Sequence, residues 1–189
     1  MLKITVMRKH LLWLVAVLPL VTPAASNSLA LHRDVRPIKT IKDIMDSMIN
    51  PNAEALWNSV ASYVSLKHVQ QQAPHNDADW KELRRRASTL SMAAHLLTVS
   101  GRPVGQPGDQ SKNPAIELSP EQIEVLINED RPTWRMLVHG LQDSVALVTN
   151  AIDKKNLEGL RSANDALNAA CEQCHQKYWY PNRRKLLQQ

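Results

Sequence analysis

From residue 38 to residue 178 of this 189-residue chain the apolar side chains recur at steps of three and four, and nowhere do they alternate with period two over a useful length. A three-four step returns to one face of an α-helix, so the chain reads as a series of amphipathic helices. The first stretch, about 37–67, carries Ile38, Ile41, Met45 and Met48, then changes phase and continues as Ala53, Leu56 or Trp57, Val60 and Val64. Proline disfavours the helical conformation of the residue before it and suits the first position of a new helix, so a kink or break is expected at Asn50-Pro51. The second stretch, about 77–100, follows Asn76 as N-cap with the seam Trp80, Leu83, Ala87, Leu90, Ala94 and Leu97. The third, about 131–156, carries Trp134, Leu137, Leu141, Val145, Val148 and Ile152, and the fourth, about 157–180, carries Leu157, Leu160, Asn164, Leu167, Cys171, Cys174 and Tyr178.

Between the second and third helices, residues 101–118 hold three of the five glycines and three prolines, which marks a long loop, read as a flexible crossover. Ser119-Pro120-Glu121-Gln122 then has the pattern of a capping box opening a short helix. Low glycine with abundant Ala, Leu, Gln and Glu favours helices. Four long helices with one long crossover imply an all-α fold, an antiparallel four-helix bundle. No internal repeat and no nucleotide-binding loop is seen.

The first 25 residues read as a secretory signal peptide rather than as part of that bundle. Lys3, Arg8 and Lys9 precede an apolar run from Leu11 to Val21, and small residues follow at Ala24, Ala25, Ser26, Ser28 and Ala30, so cleavage is expected between 24 and 30. The alternative, an uncleaved anchor, is opposed by Pro19 and by a run well short of the roughly 20 residues that span a bilayer. Removing three basic residues takes the formal charge from +5 to about +2, so the basic character is largely that of the leader and gives no support to a nucleic-acid partner. The expected domain is 26–189, in an oxidising, periplasmic compartment.

In such a compartment two cysteines ordinarily pair. Here they stand in Cys171-Glu172-Gln173-Cys174-His175, the C-x-x-C-H pattern of covalent c-type haem attachment. Two thiols add across the porphyrin vinyl groups and the next residue offers an imidazole to the iron; positions i, i+3 and i+4 of a helix put all three on one side. A zinc site would need about four N or S donors, usually from paired motifs, and His32, His68, His75, His95 and His139 show no tight pairing. A thioredoxin-like dithiol belongs after a strand. A structural disulfide or an unmodified pair stays open at this point. Both thiols lie on the leucine stripe of the fourth helix, which places the haem in the bundle interior.

A helical chain with a single C-x-x-C-H near its C-terminus resembles the class II c-type cytochromes, the cytochrome c prime superfamily. The likeness is carried by Cys171, Cys174 and His175, followed by Lys177 and Tyr178, and more softly by Ile44-Met45, Pro51-Asn52-Ala53 and Leu56-Trp57. It implies one covalent haem c on Cys171 and Cys174, with His175 as proximal iron ligand. It also implies that the first helix crosses the distal face, where an apolar residue leaves an open, gas-binding iron and a Met makes a low-spin electron carrier. Met45, six residues before Pro51, is the first choice of distal ligand and Met48 the second; His95 or His139, or an open site, are the alternatives.

The expected function is a periplasmic monohaem electron carrier, not an enzyme, working with periplasmic or membrane redox proteins. The alternative is a cytochrome that captures nitric oxide or carbon monoxide, and a haem-free thiol oxidoreductase or helical adaptor is a third reading. Met92 and Met136 read as core. One of Arg84-Arg85-Arg86 could meet a haem propionate, and Arg183-Arg184-Lys185 could steer an anionic partner. Gly140 costs roughly 1 kcal/mol against Ala inside a helix and is compatible with a close approach there. A homodimer is compatible with the resemblance.

Overall fold

The computed structural model describes residues 39–64 and 69–181, all within one compact unit that begins at Pro37. The signal-peptide reading, Ile38, His32, His68 and Arg183-Arg184-Lys185 fall outside the described residues. The elements in order are α1 (Ile41–Ile44), a π-turn (Met45–Ile49), α2 (Asn50–Asn58), a two-stranded hairpin of β1 (Ser62–Val64) and β2 (Val69–Gln71), then α3 (Asp77–Leu96), α4 (Pro120–Glu129), α5 (Arg131–Asp153) and α6 (Leu157–Tyr178). The first helix with its π-turn, α3, α5 and α6 form the antiparallel four-helix bundle expected from the seams, with α4 as a short addition.

Local chemistry fixes where the helices begin. The Thr40 hydroxyl accepts from the Asp43 amide at 3.0 Å while the Asp43 carboxylate accepts from the Thr40 amide at 3.0 Å, a capping box that opens α1. Asn76 caps α3 through the Asp79 amide, and Ser119 and Gln122 form the expected capping box of α4. α5 stops at Lys155, whose φ of 49° is left-handed, and the Asn156 amide returns to the Ala151 carbonyl at 2.9 Å. Asn156 then caps α6 through the Gly159 amide at 3.0 Å. A Cβ on Gly159 would lie 2.7 Å from the Asn156 amide nitrogen, so glycine there leaves room for the side chain that caps α6. This corner returns α6 along α5, bringing the end of α6 back toward Trp134 at the start of α5, where the Trp134 and Tyr178 rings meet at 5.4 Å.

The seams of α3, α5 and α6 are the core: Leu83, Ala87, Leu90, Ala94, Leu97, Trp134, Val145, Val148, Ile152, Leu160 and Leu167 are all buried. Asn164, the one polar position on these stripes, is buried with its amide donating to the Leu56 carbonyl at 2.8 Å, so it joins α6 to the end of α2. The core seat assigned to Leu137 is filled by Val138, with Leu137 half-buried beside it.

Further expectations about the fold need correction. The irregularity expected at Asn50-Pro51 is not a break: Asn50 is αR (φ −54°, ψ −53°) and helix continues to Asn58. The irregularity is displaced one turn earlier into the π-turn, where the Asn50 amide reaches back five residues to the Met45 carbonyl. Proline lacks the N–H for an i−4 bond and its ring crowds that carbonyl; widening the preceding turn relieves both. Nor does this helix run to residue 67; a hairpin follows, so Val64 belongs to a strand. Met92 and Met136 are 59% and 61% exposed rather than core, because each lies two residues from its seam, on the opposite side of the helix. Gly140 is exposed, and a Cβ there would meet nothing within 4 Å, so no close approach requires it.

The long connection is not a loose crossover. Pro103 and Val104 carbonyls accept from the Ile41 and Lys42 amides at 2.9 Å each, completing the first turn of α1, and Val104 is buried with its amide on Glu124 at 3.1 Å. At its far end the Leu118 amide donates to the Trp179 carbonyl at 2.8 Å. Gly101 and Gly108 adopt φ of 73° and 86°, which explains glycine at the two turns of this segment.

Candidate cofactor site

Cys171, Cys174 and His175 occupy the last two turns of α6, all half-buried. Both cysteines are free thiols. Within a regular helix, residues three apart have Cβ atoms about 5–6 Å apart, beyond the roughly 3.5–4.5 Å of a disulfide, so bridging them would unwind this turn. Burial pushes the Cys171 thiol up to about 11, with Glu172 adding to the effect, and the Cys174 thiol up to about 12. These thiols are therefore protonated at neutral pH. That is the reverse of the activated thiolate that a dithiol oxidoreductase uses. Burial lowers His175, against an opposing pull from Glu172, so the imidazole is neutral and its lone pair is free for a metal.

Aromatic groups hold that imidazole. The Trp179 ring meets it edge-on at 5.0 Å and the Tyr180 ring at 5.9 Å. The Tyr180 hydroxyl donates to Glu172 at 2.7 Å, and the Trp179 and Tyr180 amides both return to the His175 carbonyl, at 2.8 and 3.0 Å. Lys177 pairs with Asp130, the residue that caps α5, at 3.4 Å. The end of α6 is thus fixed to the start of α5 and to the loop.

Facing α6 is the first helix. A cavity of about 170 Å³ has mainly apolar walls that include Ile41, Val104, Ile123, Ile127 and Trp134, and a smaller one of about 40 Å³ is walled by residues such as Ile49, Ala53, Trp57 and Leu141. Four residues border both: Met45, Asn50, Cys174 and His175. Met45 opens the π-turn, which holds Ile44 and Ile49 in the core five residues apart while Met45 borders the cavities. Met48 packs partly buried against the core and borders neither cavity.

The other candidates land elsewhere. His95 and His139 are exposed, bonded to the Ser91 carbonyl at 2.8 Å and to Gln142 at 2.9 Å, and neither borders a cavity. Arg84 pairs with Asp153 at 2.7 Å, and Arg85 and Arg86 with Glu82, so this trio serves helix surfaces and does not reach the cavity. The cations that border it are Lys42 and Lys112. Sequence reasoning missed Lys112, Val104 and Leu118 because they sit in a segment with no periodicity. It also missed Trp179 and Tyr180 as partners of His175; the aromatic run Tyr178-Trp179-Tyr180 three residues after the motif was the available signal.

The residues present fit a covalent haem. Two protonated thiols, a neutral imidazole and a thioether converge on apolar walls, which is a donor set suited to a porphyrin and its iron. Two buried donors border the same space without a hydrogen-bond partner among the described residues: Trp57 Nε1 beside the smaller cavity and the Tyr178 hydroxyl beside the larger. Burial holds that phenol up at about 12, so it keeps its proton. Among the described residues no three His, Cys, Asp or Glu side chains form a metal-binding cluster.

No family profile matches the chain, and no curated protein matches it by sequence. Solved structures similar to it include a nitric oxide complex of a variant of cytochrome c prime from Alcaligenes xylosoxidans, at 19% identity over 75% of this chain and 97% of that one, TM-score 0.48. A ferrous variant of the same protein with bound NO aligns at 18% identity over 74% and 97%, TM-score 0.46. A structure described as cytochrome c′ aligns at 18% identity over 74% and 88%, TM-score 0.45.

Proposed function

We propose that this chain is an exported, periplasmic monohaem c-type cytochrome that carries single electrons between redox partner proteins, and is not an enzyme. The observation that carries the reading is the shared border of the two cavities, where Met45 from the first helix and Cys174 and His175 from α6 come together. Bound haem would supply a one-electron couple, its potential raised by His and Met ligation. Cys171 and Cys174 would hold it to α6 through two thioethers. His175, steadied by Trp179 and Tyr180, would offer the iron a neutral nitrogen, and Met45 would offer its sulfur. The mainly apolar walls would limit rearrangement of polar groups when the charge changes. No helix among the described residues is long and apolar enough to cross a membrane.

A second reading, a gas-binding cytochrome with an open distal site, is supported by the walls themselves: Ile41, Ile49 and Ile123 offer an apolar environment to a small diatomic molecule. Carbon monoxide separates the two. A chain whose sixth position is held by Met45 is expected to bind CO slowly and incompletely when ferrous at neutral pH. Rapid, complete formation of the CO adduct would establish the open site and overturn the electron-carrier reading.

A further inference from the structure

We propose that Lys112, carried by the long loop between α3 and α4, is the cationic anchor for a carboxylate of the bound cofactor, with Gln110 and Ser111 as its polar neighbours. This rests on the haem reading above. A porphyrin held through its vinyl groups still has two carboxylates to place. An ionised carboxylate is costly against apolar surface, so it goes to the mouth of the cavity, where water and polar or cationic walls receive it. Most of the cavity wall offers nothing of the kind. The polar part comes from two sources, the first helix with Lys42 and Asp46, and the loop with Gln110, Ser111 and Lys112.

Of the two lysines, Lys42 is already engaged, with its ammonium 3.1 Å from the Asp46 carboxylate. Lys112 has no carboxylate partner among the described residues. Glu117, the loop carboxylate nearest in sequence that also borders the cavity, is taken up by the Asn113 amide at 2.9 Å. The charged and titratable groups bordering the space are therefore Lys42 and Asp46 from the first helix, Lys112 and Glu117 from the loop, and Cys174, His175 and Tyr178 from α6. Lys112 is exposed, and among the described residues it has no carboxylate at ion-pair distance, unlike Lys42. The loop that carries it is tied down at both ends, by the Ile41 and Lys42 amides on Pro103 and Val104 and by the Leu118 amide on Trp179, so its position is set by the fold.

The test is the midpoint potential of the haem-loaded full chain followed spectroscopically against pH, for wild type, Lys112→Glu, Lys112→Met and Lys154→Glu. Lys154 caps the far end of α5 and controls for net charge. A cation within a few ångströms lowers a carboxylate pKa by about 1–3 units. Lys112→Glu is expected to move the carboxylate-linked inflection of the potential upward by about one pH unit or more. Lys112→Met should move it the same way by less, and Lys154→Glu should leave it in place. Lys112→Met serves if the charge reversal impairs folding. Profiles of both Lys112 variants that superimpose on wild type would overturn the anchor. A wild-type chain that retains no haem after acid-acetone extraction would instead overturn the haem reading itself.

Discussion

Changing Cys171 and Cys174 together to Ala is expected to abolish covalent haem: after acid-acetone extraction the polypeptide should be colourless, at least tenfold below wild type by haem absorbance per chain. The fold itself is not expected to depend on these thiols for a bridge, since they are free and their helical spacing does not suit a disulfide. Far-UV circular dichroism should therefore keep its helical signature. Either single variant keeps one thioether and should retain part of the colour. The same pair separates the haem reading from the thiol readings. A dithiol oxidoreductase would need a thiolate, whereas burial has pushed these thiols to about 11 and about 12. Full retention of extractable-resistant haem in the double variant would contradict attachment at this motif.

The second large effect belongs to Met45. Its replacement by Ala is expected to convert a low-spin spectrum to high-spin and to speed CO binding to the ferrous protein by more than tenfold, while Met48→Ala leaves both unchanged. The distinction comes from the π-turn. Met45 borders both cavities with His175, whereas Met48 packs against the core and borders neither. Truncating a half-buried Met also removes packing, so Met45→Ala should lose roughly 1–2 kcal/mol in denaturant unfolding of the haem-free chain. Met48→Ala should cost a similar amount, which makes stability the internal control and spin state the discriminating readout. A high-spin shift in Met48→Ala alone would move the ligand role to Met48.

What could be read from sequence follows the range over which each signal acts. The seams of α3 and α6 were legible because a three-four step is imposed by helix geometry, and Leu83, Leu90, Leu160 and Leu167 are buried accordingly. The caps at Thr40, Asn76 and Ser119 are local chemistry; those at Asn76 and Ser119 were read correctly. Cys171, Cys174 and His175 were recognisable because the motif is contained within one helical turn and a half. The π-turn was not legible as such. The phase change after Pro51 was visible, yet whether a chain answers a proline by breaking or by widening the turn before it depends on what Ile44 and Ile49 pack against. The hairpin after α2 was hidden by valines that also fit a helical seam. The polar rim was the least visible part. Lys112 gains its meaning only when a segment without periodicity is pinned to Ile41, Lys42 and Trp179 by backbone hydrogen bonds.

Lys177 and Tyr178 show the same division. Their places in sequence pointed to a basic and an aromatic residue after the motif, while the structure gives their contacts: Lys177 pairs with Asp130 at the mouth of α5, and the Tyr178 ring packs edge-on against Trp134. Met92 and Met136 went the other way. As methionines they were expected in the core, but their positions two residues off the seam put them in solvent.

The most direct test of the central claim is the intact mass of the chain purified, under denaturing conditions, from an exporting host able to mature c-type cytochromes. Covalent attachment at Cys171 and Cys174 predicts a mature polypeptide heavier by one haem, with the added mass on the peptide that contains both cysteines and His175. A polypeptide of unmodified mass, or one lighter by the two hydrogens of a Cys171–Cys174 disulfide, would contradict it.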